Sequence, residues 1–249
     1  MKCAMIYALH GAVGHADDWK NIASSLAGSD GVRMSRVDLW RYLMCCPMSL
    51  TEFAAAFNKE VMAQTKHSDE KPVLLGYSMG GRLALHVLLD NPSLWGGAVI
   101  VSAHTGIDVS ERSARLASDA EWAAKAIKGE WKTFVEEWNG QGVLDNDVMP
   151  NRNNLEQRRQ PVARSFMDWS LGQQEDLLEN LGSEEISCPV LWVVGEGDQK
   201  FTQVGKKAVA RIPSAELKVM SGAGHRVPWE NSEAFASLLG DWLAKENLR

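Results

Sequence analysis

The chain has no run of about 18 consecutive apolar residues, the least that a membrane-spanning helix needs. It also has no Cys-x-x-Cys pair, and its four cysteines (Cys3, Cys45, Cys46 and Cys188) show no metal-type spacing. The neighbours Cys45 and Cys46 make a poor disulfide, so free thiols and a reducing, cytoplasmic setting are expected. Positive charge is in short supply. Against 26 lysines and arginines stand 32 acidic residues, a net charge of −6. Nucleic acid is therefore not an expected partner, because phosphate binding needs a basic surface. Repeats and low-complexity tracts are absent. The first apolar run, ending at Leu9, is followed by His10-Gly11 rather than a small-residue cleavage site. It reads as a strand and not as a targeting segment.

What remains is an ordinary globular composition over 249 residues, 45% hydrophobic and 23% charged, with ten tryptophans. Short apolar runs alternate with helical patterns. Strands are expected at Ala4–Leu9, within Arg33–Leu39, and at Pro72–Tyr77, Ala98–Ser102, Pro189–Val194 and Glu216–Met220. Helices are expected at Trp19–Leu26, Leu50–Gln64, Gly80–Asp90 and Asn231–Ala244. Strands separated by helices imply a mostly parallel sheet covered on both faces. Residues 108–180 break the rhythm. They hold no strand pattern, are densely charged, and carry Trp122, Trp131, Trp138 and Trp169. They read as a helical cap inserted over the C-terminal edge of the sheet, with a polar loop over Gly140–Asn154. Residues 1–107 and 181–249 form the core.

The chemistry concentrates at Gly76-Tyr77-Ser78-Met79-Gly80, a GxSxG motif between an expected strand and an expected helix. That is the context a nucleophile elbow needs. Glycines on both sides let backbones pass closely, and the helix N-terminus offers N–H groups to developing negative charge. A serine hydroxyl needs a base. Of six histidines, His225 fits best, late in the chain in a Gly-Ala-Gly-His loop after the last expected strand. His86 falls inside the helix after Ser78 and reads as structural, His104 as a pocket-wall residue, and His67 as solvated. Asp198, in the turn after Pro189–Val194, is the expected orienting acid, ahead of Glu196 and Asp108. The order Ser78, Asp198, His225 is the one seen in α/β-hydrolases. The amides of Ala12, after His10-Gly11, and Met79 are the expected oxyanion donors.

These features resemble the α/β-hydrolase superfamily over essentially the whole chain. Within it the chain is similar to the 2-succinyl-6-hydroxy-2,4-cyclohexadiene-1-carboxylate synthases of menaquinone biosynthesis. Five stretches carry the resemblance: Leu9-His10-Gly11 with Asp18-Trp19; Gly76 to Arg82; Glu111-Arg112 through Arg115, Asp119 and Trp122; Gly195 and Asp198-Gln199-Lys200-Phe201; and Ala223-Gly224-His225. The resemblance implies that Arg82 and Arg115 hold substrate carboxylates, with Arg164 as a further cap arginine. Trp138 becomes a pocket tryptophan and Tyr77 a tyrosine beside the nucleophile. It also implies a small carboxylate-bearing substrate, no metal and no organic cofactor. The implied reaction is elimination of pyruvate, in which the His-activated serine abstracts a proton. One departure bears on the substrate. The family usually carries Pro-Gly-His-Gly after its second core strand, and here Asp38 is followed by Leu-Trp-Arg-Tyr, a loop expected to border the pocket entrance. Two alternatives stay open. One is a carboxylic-ester or C–C bond hydrolase with the same triad. The other is a non-catalytic ligand-binding member of the fold, against which the intact triad argues. Inward-facing arginines favour the lyase, and a wholly apolar pocket an esterase.

Overall fold

A computed structural model describes residues 5–30, 32–144, 151–182 and 186–248, with the backbone alone described for 29 and 30. Cys3, Ala4 and the part of the polar loop at 145–150 lie outside the described residues. Six strands form one sheet: β1 (Met5–Leu9), β2 (Arg33–Val37), β3 (Val73–Tyr77), β4 (Gly97–Val101), β5 (Val190–Gly195) and β6 (Ala215–Met220). Their order is β2-β1-β3-β4-β5-β6, and every neighbouring pair is parallel.

Strand periodicity sorts the side chains into two cores. Ile6, Ala8, Val73, Leu75, Val99, Val101, Leu191 and Val193 face one way. There they meet α1 (Lys20–Asp30) and α9 (Ser232–Lys245) through Ile22, Leu26, Phe235 and Leu239. The alternate residues Leu9, Leu74, Ala98, Ile100, Val190, Trp192 and Val194 face the other way. They are covered by α2 (Leu50–Thr65), α3 (Met79–Asp90) and α7 (Gln199–Val209). A sheet buried on both faces explains why β3 and β4 read as continuous apolar runs rather than alternating ones. Local signals set the helix ends. Ser49 caps α2 in a capping box with Glu52, and Asp198 caps α7.

Between β4 and β5 the chain forms α4 (Val109–Lys128), α5 (Trp131–Asn139) and α6 (Arg159–Asp168), with no strand among the described residues. The buried face of this insertion is aromatic. Trp122 meets Trp138 edge-on with centroids 5.1 Å apart, and Trp138 meets Phe166 at 5.1 Å. A short helix, α8 (Val227–Glu230), precedes α9.

The unusual Leu-Trp-Arg-Tyr segment forms a 3-10 turn, Leu39–Leu43, and does not line either cavity at Ser78. The expectation of a pocket-entrance loop is corrected accordingly. Trp40 turns inward, donating its Nε1–H to the Gly14 carbonyl at 2.9 Å and lying against the His10 ring at 4.9 Å. The exposed side of the turn seats the insertion. Arg158 pairs with Asp38 at 2.5 Å, and Arg164 donates to the Leu43 carbonyl at 2.8 Å.

His10 is fully buried. Its Nδ1–H donates to the Gly11 carbonyl at 2.9 Å, and its Nε2 accepts from the Leu39 N–H at 3.3 Å, so only the neutral ring satisfies both. Burial pushes its pKa from 6.5 down to about 4. The folded value lies below the unfolded one, so the unfolded chain takes up the proton first. Stability is intact above the unfolded pKa and declines as pH falls toward 4. Equilibrium unfolding across that range is expected to lose about 1.4 kcal/mol per pH unit of its slope when His10 becomes Gln. An unchanged slope would contradict the buried neutral ring.

Candidate active site

The turn from β3 into α3 places Ser78 at φ 52° and ψ −112°, a conformation that residues with a Cβ adopt only under constraint. The constraint is close packing. A Cβ on Gly80 would overlap the carbonyl oxygens of Leu9 and His10, so only glycine lets α3 start this near β1. The Ser78 N–H is anchored on the Val101 carbonyl at 2.8 Å. Its hydroxyl stands above the C-terminal edge of the sheet.

Two further loops converge there. Gly195 ends β5 so close to the carbonyls of Ala223 and Gly224 that a Cβ would overlap both. This brings the Asp198 turn against the His225 loop. Asp198 Oδ2 accepts from His225 Nδ1–H at 2.7 Å, and its Oδ1 accepts from the Phe201 N–H at 3.2 Å as the cap of α7. An ionised carboxylate only accepts, which puts the imidazole proton on Nδ1 and leaves Nε2 as an acceptor. Ser78 Oγ–H donates to that Nε2 at 3.2 Å. Asp198 and His225 are both buried. The rival acids are engaged elsewhere, Glu196 with Ser221 and Gly222, and Asp108 as the cap of α4.

Ser78 lies at the junction of two chambers. The larger, about 190 Å³, is lined by Ala12, Met79, Arg82, Arg115, Trp138 and Phe201 among others. The smaller, about 30 Å³, has room for little more than a water or two. Its lining includes Tyr77, Asp18, Arg152, Asn139 and Arg226. Ala12 and Met79 both border the larger chamber, and the Met79 N–H, at the first position of α3, has no acceptor within its own helix. Tyr77 is buried with its ring 2.7 Å from where a Gly11 Cβ would stand, and it meets Trp229 edge-on at 4.6 Å.

Arg82 is only 7% exposed, yet it bonds to neutral acceptors, Gln174 Oε1 at 3.1 Å and the Trp169 carbonyl at 2.6 Å. Burial, reinforced by Arg115, pushes its pKa down to about 9. Arg115 is half exposed and donates Nε–H to Asp119 Oδ2 at 2.8 Å, while Asp119 also accepts from Ser170. Thus the stretch from Trp169 to Gln174 supports both arginines. Arg164 is a correction. It lines neither chamber, because its face of α6 turns to the Leu39–Leu43 turn. Twelve residues earlier, before α6 begins, Arg152 reaches the smaller chamber and pairs bidentately with Asp18 at 2.5 and 2.9 Å. Sequence reasoning missed Arg152, Asn139 and Arg226. Arg226 donates to Asn139, and its position directly after His225 was the available signal.

Comparison with known proteins agrees with this fold. A model of the alpha/beta hydrolase family matches residues 6–238. The chain is 28% identical to a 2-succinyl-6-hydroxy-2,4-cyclohexadiene-1-carboxylate synthase of Serratia proteamaculans over 242 residues, covering 94% of this chain and 91% of that one. It is 27% identical to the synthase of the same name from Enterobacter sp., covering 94% and 90%. Among solved structures it is similar to MenH from S. aureus, with a TM-score of 0.84 at 23% identity over 98% of this chain and 94% of that one. A thermophilic esterase from Thermogutta terrifontis gives 0.74 at 19% identity over 98% and 91%.

Backbone strain at residue 78 has a measurable consequence. Ser78→Gly and Ser78→Ala both remove the hydroxyl, but only glycine relaxes the positive φ. Ser78→Gly is expected to unfold at a higher temperature than Ser78→Ala, by about 1 kcal/mol of stability. Thermal melts in which the alanine variant is the more stable would contradict a strained turn.

Proposed function

The chain belongs to the alpha/beta hydrolase family, and from that premise we propose that this enzyme is a lyase. It releases pyruvate from 2-succinyl-5-enolpyruvyl-6-hydroxy-3-cyclohexene-1-carboxylate, a step of menaquinone biosynthesis. The observation that carries the reading is Arg82. Among the described residues this guanidinium, buried beside the nucleophile, bonds an amide and a carbonyl oxygen and no carboxylate, with Asp119 acting on it through space while paired to Arg115. A substrate carboxylate supplies the missing partner, and arginine takes it bidentately. Arg115, lining the same chamber, adds a second cation. The identity to synthases of this name over nearly the whole chain supports the same reading.

In this reading residues 108–180 act as a cap that closes the site from bulk water. Asp198 holds His225 so that Nε2 faces Ser78. His225 takes the Ser78 proton, and the Ser78 oxygen removes the acidic C–H proton next to the succinyl ketone. The electron pair moves onto the ketone oxygen, where the Ala12 and Met79 N–H groups receive the charge. As the charge returns through the ring, the C–O bond to the enolpyruvyl group breaks. The enolate that leaves gains a proton on carbon and becomes pyruvate. The proton on His225 returns to solvent or product, so serine and histidine end as they began. No water is consumed.

Purified protein incubated with that substrate is expected to release pyruvate, followed by a coupled dehydrogenase, with little turnover of short p-nitrophenyl esters. Ser78→Ala is expected to lose roughly a thousandfold or more in kcat. Arg82→Gln is expected to raise KM about tenfold or more. Ser78-dependent ester turnover with no pyruvate would replace the lyase with a hydrolase.

A further inference from the structure

The reaction at Ser78 makes no use of Cys45 and Cys46. Both are exposed and unbridged, whereas Cys188 is buried. They sit in a short link, residues 44–49, that is neither helix nor strand and joins the Leu39–Leu43 turn to α2. The insertion holds this link near both ends. Arg164 donates to the Leu43 carbonyl at 2.8 Å, and the Met48 N–H donates to Asp168 Oδ2 at 3.3 Å. Two adjacent thiols are thus presented to solvent on an anchored stretch of chain.

A thioether stands near the pair on each side, in the sequence Met44-Cys45-Cys46-Pro47-Met48. Met48 is partly buried and packs on the core. Met44 is 58% exposed, which leaves its sulfur within reach of an ion held next to it. The groove that begins at Pro47 and Met48 is lined by Glu52, Asp168 and Glu175 and, among the described residues, by no lysine or arginine. Its charge favours the approach of a cation.

A disulfide between neighbours is strained, because a bond of about 2.0 Å pulls the two sulfurs together. An ion between them removes that strain, since metal–sulfur bonds of about 2.3 Å, the length found for zinc, let the sulfurs stand apart. Adjacency also strengthens chelation, because the second thiolate is at hand once the first has bound. The donors then select the ion. Structural zinc takes four ligands, and among the described residues no group of three or more His, Cys, Asp or Glu is placed to hold a metal. Calcium and magnesium take oxygen. Two thiolates and a thioether suit monovalent copper, a soft ion satisfied by two or three sulfurs.

We infer that Cys45 Sγ and Cys46 Sγ, with Met44 Sδ, form a binding site for monovalent copper, separate from the Ser78 chambers. The two thiols give their protons to solvent as the ion enters, and no electron is transferred. The inference stands apart from the proposed lyase reaction and does not depend on it.

The reduced protein is titrated without oxygen against the copper(I) complex of bathocuproine disulfonate, whose loss of colour reports transfer of the ion. Transfer of one copper per chain is expected, with a copper–thiolate absorption in the near ultraviolet. Cys45→Ser and Cys46→Ser are each expected to weaken binding by about a hundredfold or more, and the double variant to abolish transfer. Met44→Leu is expected to weaken it about fivefold, and Met48→Leu and Cys3→Ser to leave it within about twofold. Melting temperatures without copper, expected to match the parent for the two serine variants, show that these exposed substitutions leave the fold intact. A hundredfold excess of zinc is expected not to displace the copper. No transfer to the parent, transfer that survives in the double variant or is lost in Cys3→Ser, or displacement by zinc overturns the site.

Discussion

The site depends first on how closely α3 approaches β1. Gly80 meets the carbonyls of Leu9 and His10, and that approach bends the chain at Ser78 into a positive φ. The same bend puts the first amide of α3 beside Ala12 at the chamber wall. Nothing else in the sheet has to be unusual. Asp198 and His225 arrive from the adjoining strand ends β5 and β6, and parallel pairing brings those ends to one edge. The strain is local, and the large buried faces of the sheet hold it in place.

The inserted helices share an apolar cluster with the core, Trp169 lying on Phe53 at 5.3 Å, and arginines add polar ties. Arg152 pairs with Asp18 and Arg158 with Asp38, while Arg164 bonds a backbone carbonyl. These three arginines have partners in the core, so they serve attachment. Arg82 runs the other way, from the core helix α3 to Trp169 and Gln174 of the insertion, and among the described residues it bonds no carboxylate. Arg152 and Arg158 thus meet acids of the core, whereas the bonds of Arg82 go to neutral oxygens. Sequence spacing does not make that distinction.

Much of the architecture was legible because each signal had a single physical meaning. Runs such as Val73-Leu74-Leu75 between a proline and a GxSxG turn leave little choice but a buried strand. The serine, acid and histidine were legible for the same reason, since each follows a strand in an α/β alternation. What failed was rotational phase. Arg152, Arg158 and Arg164 are six residues apart in a segment that passes from a 3-10 turn into α6, and no periodicity shows which of them meets the chamber. Helix α7 was not marked by an apolar run, because its buried face is short, Gly205 and Ala208. The Leu39–Leu43 turn looked like a pocket edge by position, yet Trp40 buries itself on His10 and closes that route.

The proposed account makes Ser78 a base toward carbon and not a nucleophile toward a carbonyl. Turnover of substrate deuterated at the carbon next to the succinyl ketone tests this most directly. The account predicts a primary isotope effect of about 2 or more on pyruvate release, and no mass adduct on Ser78 in quenched reactions. An absent isotope effect together with an acylated Ser78 would contradict it and make the triad a conventional hydrolase.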